Sequence, residues 1–268
     1  MLALLSPTMR MQHEVPELFG SGTLSLSRPE FLEESLEIAQ ALAALDMDEL
    51  SELLSVKDEA LVQYYLYWRD FPKTSQDYSL DIHEIAPAAC ALQGIAYQYL
   101  DAAHFTQDEW LSAQEKLRFV SGAYGILRPC DGVYPYRLEM KHKLKLGSAK
   151  NLYAFWGDKL AKFCDKDAQG LIINLMSQEY SKAILPHLKP ETRVISCDFR
   201  IKNKQGIYKT QSTWAKISRG AMAQMLVRSQ IDDPEELKNF NHAGFYFEES
   251  LSNLNEWVFL ADGPELED

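Results

Sequence analysis

No apolar run in the chain approaches the ~20 residues that a helix needs to span a bilayer, so no membrane partner is expected. The opening residues, MLALLSP, are too short and too poor in basic residues for a secretory leader, and the expected location is cytoplasmic. Cysteine is scarce. Cys90, Cys130, Cys164 and Cys197 lie at least 33 residues apart, so no CxxC pair exists and free, half-buried thiols in a reducing compartment are expected. The six histidines are scattered, without HExxH or HxH, so spacing supports neither a metal site nor a cofactor. A P-loop, an obvious catalytic triad, internal repeats and low-complexity linkers are missing too. One domain over residues 1–268 is therefore expected.

What is present is an ordinary globular composition, 46% apolar and 25% charged over 268 residues, with charge distributed unevenly. Residues 1–136 carry 8 basic against 21 acidic side chains, residues 137–219 carry 17 against 7, and residues 220–268 carry 2 against 11. The net charge of −12 thus conceals a basic block between two acidic flanks. Such a block either meets phosphate or is neutralised by the flanks themselves.

Leu2–Leu5, closed by Ser6-Pro7, reads as a buried first strand. Pro29 opens a helical pattern, PEFLEESLEIAQALAAL, followed by helices at Met47–Val56 and in ALVQYYLYWRDF. Thr106-Gln-Asp-Glu109 has the capping-box pattern, predicting a helix from Gln107 to Phe119 that stops at Gly122. A helix is also predicted over Asn151–Phe163, where Gly157 is unexpected, and another over Thr213–Arg228, where Gly220 would let a phosphate or another chain approach closely. Strands are predicted at Leu171–Leu175, Arg193–Phe199, Ile207–Gln211, Phe245–Phe247 and Trp257–Leu260. The order is mixed, so the fold class is α/β.

LRFVSGAYGILRPCDGVYPYRLEM, Leu117–Met140, holds three glycines, two prolines, three tyrosines and three arginines. Gly122 and Gly125 can turn the backbone and leave amide N–H groups uncovered. Arg128 and Arg137 flank the loop from Pro129 to Pro135. One reading is a helix-hairpin-helix-like element that holds a DNA phosphate without reading sequence. The other is a helix-ending turn whose glycines serve packing.

The same stretch resembles the central signature of the YaaA peroxide-stress family, close to SGLYGVLRPxDxxxPYRLEM. LLSP, NLYAFWGDKL, INLMSQEYSK, WAKISRGAM and FNHAGFYFEES resemble further family motifs in order, so the resemblance covers essentially the whole chain. It implies a cytoplasmic protein that limits free intracellular iron during peroxide stress, in a single mixed α/β domain with a basic cleft and a helix-hairpin-helix-like element that binds DNA. Three motifs depart from the pattern. Met9 occupies the usual lysine position of SPAKxM, with Arg10 beside it, and Ile217 replaces the second lysine of AKKARGLM. INLAS stands as Ile173-Asn174-Leu175-Met176-Ser177. Fewer cations would weaken phosphate binding, since each phosphate neutralised by a side chain releases roughly one counterion.

The candidate DNA- or anion-binding residues are therefore Ser6, Arg10, Gly122, Gly125, Arg128, Arg137, Lys216 and Arg219. Glu139, Asn174, Ser177 and Asn241 are further candidates for a shared cleft. Arg137 and Glu139 would share one face of an extended segment, as a salt bridge or as site residues. Asn174 and Ser177 would face a crevice past a strand end, or cap a helix. If these residues converge, the leading reading is a phosphate-backbone groove. The alternative is an enzyme in which Lys216 or Glu139 acts as base and the arginines hold a small anionic ligand. A third account, direct iron binding by carboxylates, has no ligand-like spacing behind it.

Overall fold

Leu2–Leu5 is buried on every side, each residue at most 1% exposed, and forms an interior strand of the main sheet. Parallel strands covered on both faces read as continuous apolar runs, and LALL is one. The computed structural model describes residues 1–263. In chain order come β1 (Leu2–Leu5), β2 (Arg10–Met11), α1 (Glu17–Gly20), α2 (Leu32–Ala43), α3 (Met47–Leu54), α4 (Asp58–Asp70), β3 (Ala86–Pro87), α5 (Ala88–Ala91), β4 (Leu92–Gln93), α6 (Ile95–Leu100) and α7 (Gln107–Lys116). There follow β5 (Leu117–Ser121), β6 (Gly125–Leu127), β7 (Gly132–Val133), α8 (Leu152–Trp156), α9 (Lys159–Asp167), β8 (Leu171–Leu175), α10 (Gln178–Ile184), β9 (Arg193–Lys202), β10 (Tyr208–Lys209), α11 (Ser212–Arg228), β11 (Tyr246–Phe247) and β12 (Glu256–Ala261). The mixed α/β class is as expected.

The main sheet runs β11-β12-β9-β8-β1-β5-β6, with β10 attached to β9. The five strands from β12 to β5 are parallel, and β11, β10 and β6 pair antiparallel at the margins. From β1 the chain passes to β5 on one side, then crosses back to β8 on the other. The order therefore reverses between β1 and β8, whose last residues, Leu5 and Leu175, are paired. Loops leaving two neighbouring strands at such a reversal diverge and leave a crevice at the carboxyl ends.

A small ribbon and a helix crossing shape that crevice. Arg10 of β2 pairs with Gln93 of β4, which holds the loop after β1 against the approach to α6. Helix α11 crosses α6 at Gly220, where an added β-carbon would lie 2.0 Å from the Ala96 carbonyl oxygen. Gly220 therefore accommodates another segment of its own chain, fixing Lys216 and Arg219 on the same helix relative to α6.

Two helices end earlier than periodicity suggests. The Thr106 capping box is present, with the Glu109 amide donating to the hydroxyl at 3.3 Å and the Glu109 carboxylate accepting from the Thr106 N–H at 2.7 Å. The helix stops at Lys116, however, because Leu117–Phe119 pairs with β1. The Asn151–Phe163 pattern is two helices, α8 and α9, separated at Gly157, whose φ of +52° suits glycine.

The glycine stretch is corrected as well. Residues 117–127 form the antiparallel β5–β6 hairpin, with Ser121 paired to Gly125, and no helix follows. A β-carbon on Gly122 would lie 2.7 Å from the Leu138 carbonyl oxygen, and one on Gly125 would meet Trp156, Leu160 and Phe31. The turn amides of Ala123 and Tyr124 donate to the Ser121 hydroxyl at 3.1 and 3.0 Å. Both glycines are buried, so Gly122 and Gly125 serve packing and offer phosphate no open amide.

Candidate functional site

A crevice of about 540 Å³ opens at the carboxyl ends of β1 and β8. Ser6 through Arg10 form one wall, Gly94 to Gln98 a second, and Ser177, Glu179 and Tyr180 a third, with Glu139, Lys216 and Arg219 completing it. Its floor is tied across the sheet. The Ser177 backbone N–H donates to the Ser6 hydroxyl at 2.8 Å, that hydroxyl lies 3.3 Å from the Ser177 hydroxyl, and Tyr97 donates to the Ser6 carbonyl at 3.0 Å. Ser177 also occupies the residue before α10, but its side chain makes no capping hydrogen bond there, so of its two sequence readings the crevice one holds.

Three cations line this crevice without a carboxylate partner among the described residues: Arg10, Lys216 and Arg219. Arg10 and Lys216 are exposed, and Arg219 is half-buried. The Arg219 Nε is buried without a hydrogen-bond partner, and burial pushes the guanidinium below its ordinary value, partly opposed by Asp198. An arginine remains charged under that pressure, so the site holds an unmet donor. Lys216 and Arg219 share a wall because three residues along a helix is nearly one turn.

Opposite the cations lies an acid–base group. Glu139 and Glu179 both approach Lys141, at 3.1 and 4.0 Å. The Lys141 backbone N–H donates to the Glu179 carboxylate at 3.1 Å. Burial pushes the Glu179 carboxyl above the ordinary range, and Glu139 nearby adds to this. His142 is buried and held toward its neutral form by that burial; its Nδ1 accepts from the Glu139 N–H at 3.0 Å. The pairing suggested between Arg137 and Glu139 is not formed.

The remaining candidates divide clearly. Asn174 is buried behind the crevice, where its side-chain oxygen accepts from the Met176 N–H at 3.1 Å and its amide donates to Ser196 at 3.0 Å. It positions the turn without lining the site. Arg137 lies over the Tyr64 ring, 5.4 Å from its centroid, beside a second, smaller cavity. Arg128 lies elsewhere: β6 runs back antiparallel to β5, and Arg128 faces Glu30 at 3.6 Å and the Phe163 ring at 5.4 Å. Asn241 is exposed and lines neither cavity. Ile217 is a buried core residue, so the lysine missing there is not missing from the crevice, whereas Met9 lines it directly.

Sequence reasoning passed over Gly94, Tyr97, Gln98, Lys141 and His142. Gly94 gave the available signal, an isolated glycine just before a helical run. Its φ is +157°, and a β-carbon there would approach the Thr8 hydroxyl to 2.6 Å, so glycine is what lets the two walls meet. Among the described residues no group of three or more His, Cys, Asp or Glu converges as a metal site, and no helix is long and apolar enough to cross a membrane.

Together these features define a mixed α/β protein whose switch-point crevice presents unpaired cations, two carboxylates and linked hydroxyls. The chain belongs to the peroxide stress protein YaaA family, whose family model matches residues 1–251. It is 34% identical to a UPF0246 protein of Clostridioides difficile (strain 630), over 98% of this chain and 100% of the relative. A UPF0246 protein of Lactiplantibacillus plantarum is 37% identical over 88% of this chain and 91% of the relative. One from Cellvibrio japonicus is 34% identical over 98% and 100%.

Proposed function

We propose that this protein serves peroxide defence by limiting free intracellular iron, and that its crevice binds the phosphate groups of nucleic acid without reading sequence. The observation carrying this reading is the convergence of Arg10, Lys216 and Arg219, none with a carboxylate partner among the described residues, on one crevice. Unpaired cations side by side repel one another, and a bound phosphate relieves that cost. Beyond the crevice wall, exposed Lys141, Lys143 and Lys145 alternate with buried His142, Leu144 and Leu146, which presents a basic strip. The part in peroxide defence rests on the family's description as a peroxide stress protein, and the limiting of iron on the motif resemblance alone.

The test is binding of labelled single-stranded and duplex DNA from low to physiological salt. The expected affinity falls steeply with salt, and Lys216→Ala lowers the slope by about one. Absence of binding at low salt overturns the nucleic-acid reading.

The pairing of Glu139 with Glu179 favours a second reading, an enzyme acting on a small anionic ligand, because a purely electrostatic groove has no use for two carboxylates. A carboxyl raised by burial is a candidate general acid or base. Under this reading Glu179→Gln leaves DNA affinity intact and abolishes protection of peroxide-stressed cells. Loss of DNA affinity with protection retained contradicts it.

A further inference from the structure

A second cavity of about 340 Å³ adjoins the crevice, and Met9, Arg10, Gly94 and Gln98 line both. Its chemistry differs. Tyr64 and Tyr67 supply aromatic surface, and Gln63, Gln93 and Gln98 supply amides. It contains no carboxylate, and Arg10 is its only lining cation among the described residues.

Tyr64 and Tyr67 project from α4 as half-buried rings 6.0 Å apart at 63°. The Arg137 guanidinium lies over Tyr64, and its Nε is buried without a hydrogen-bond partner. Gln63 donates to the Tyr67 hydroxyl at 2.6 Å and Gln93 to the Cys90 carbonyl at 3.0 Å, so both amides are fixed. The Gln98 amide, on the rim shared by both cavities, has no hydrogen-bond partner among the described residues. Tyrosine faces stack on planar heterocycles, and side-chain amides match the mixed donors and acceptors on heterocycle edges. An anion site opening directly onto this surface matches a ligand bearing a phosphate at one end and a flat polar ring at the other.

From this we infer that the second cavity is a nucleobase subsite, so that the full site takes a nucleotide, with its phosphate against Arg10, Lys216 and Arg219 and its base against Tyr64 and Gln98. The inference rests on the anion-binding reading of the crevice and adds the class of group attached to the anion. The nucleotide is either free or part of a strand, since both present the same phosphate and base.

Calorimetric titration of the full-length protein tests this with inorganic phosphate, ribose 5-phosphate, the four nucleoside 5′-monophosphates and a short single-stranded oligonucleotide. The expected result is nucleotide binding about tenfold tighter than ribose 5-phosphate, as stacking of one base supplies. Tyr64→Ala removes most of that gain and leaves ribose 5-phosphate unaffected, while Tyr64→Phe retains it. Saturation by mononucleotides that compete with the oligonucleotide identifies a free nucleotide as ligand. Tyr64-dependent binding of the oligonucleotide alone identifies a strand. Equal affinities for ribose 5-phosphate and the nucleotides, with no effect of Tyr64→Ala, overturn the inference and leave the anion reading intact. No binding of any phosphate compound overturns both.

Discussion

The backbone N–H of Ser177 donates to the side-chain hydroxyl of Ser6 at 2.8 Å, joining the carboxyl ends of two neighbouring parallel strands where the chain reverses direction across the sheet. Ser6→Ala leaves that amide without its acceptor at a half-buried position. The expected loss is about 1 kcal/mol of stability, read by chemical denaturation, with weaker phosphate binding because the crevice floor loosens. Unchanged stability and affinity would mean that the link is incidental.

Gly220 lies under the carbonyl of Ala96, and an added β-carbon would come within 2.0 Å of that oxygen. The obstacle is backbone, so α6 and α11 must separate. Gly220→Ala is expected to destabilise the protein by about 2 kcal/mol or more and to lower the thermal midpoint. A variant as stable as the parent would contradict the helix crossing.

Asp131 provides a pH signature. Its carboxylate is 1% exposed, accepts from the Ser27 hydroxyl and the Arg128 N–H at 2.7 Å each, and is pushed by burial up to about 6. A carboxyl that holds its proton more tightly folded than unfolded favours folding below its unfolded value near ~3.9 and loses that contribution as pH rises to about 6. Asp131→Asn removes the titration. Relative to the parent, the variant's stability should therefore rise by roughly 2 kcal/mol between about pH 4 and pH 7 in paired denaturation curves. Parallel curves would refute the assignment.

All four cysteines are buried and free. Burial holds Cys130, Cys164 and Cys197 up to about 12 and raises Cys90 further. A thiol reacts as its thiolate, so native protein should resist alkylation and dilute hydrogen peroxide, whereas denatured protein should label at four sites. Rapid labelling of one native thiol, seen by mass spectrometry, would reveal an exposed conformation and contradict this picture of buried, unreactive thiols.

Much of the frame was legible because its signals are local. LALL and LIINL are apolar runs of strand length, and Thr106 with Glu109 marks the start of α7. Its end was not legible: Leu117–Phe119 continues the apolar pattern of the helix, and only pairing with β1 makes it a strand. The glycine hairpin misled for a similar reason. Sequence shows that Gly122 lacks a side chain, but it cannot show that Leu138 fills the space. Lys216 and Arg219 were recognisable together from helical spacing. Arg128 and Arg137 look equivalent around their loop, yet strand direction sends Arg128 to Glu30 and Arg137 to Tyr64.

That separation allows the most direct test of the crevice as the anion site. Equilibrium binding of a fluorescent single-stranded oligonucleotide at low salt should be compared for Arg219→Ala, Arg128→Ala and the parent protein, with folding checked by thermal melting. Arg219 lines the crevice with an unmet donor and Arg128 does not line it, so Arg219→Ala should weaken binding at least tenfold while Arg128→Ala stays within twofold of the parent. Equal losses, or a loss confined to Arg128→Ala, would move the binding surface to the other end of the sheet and contradict the account.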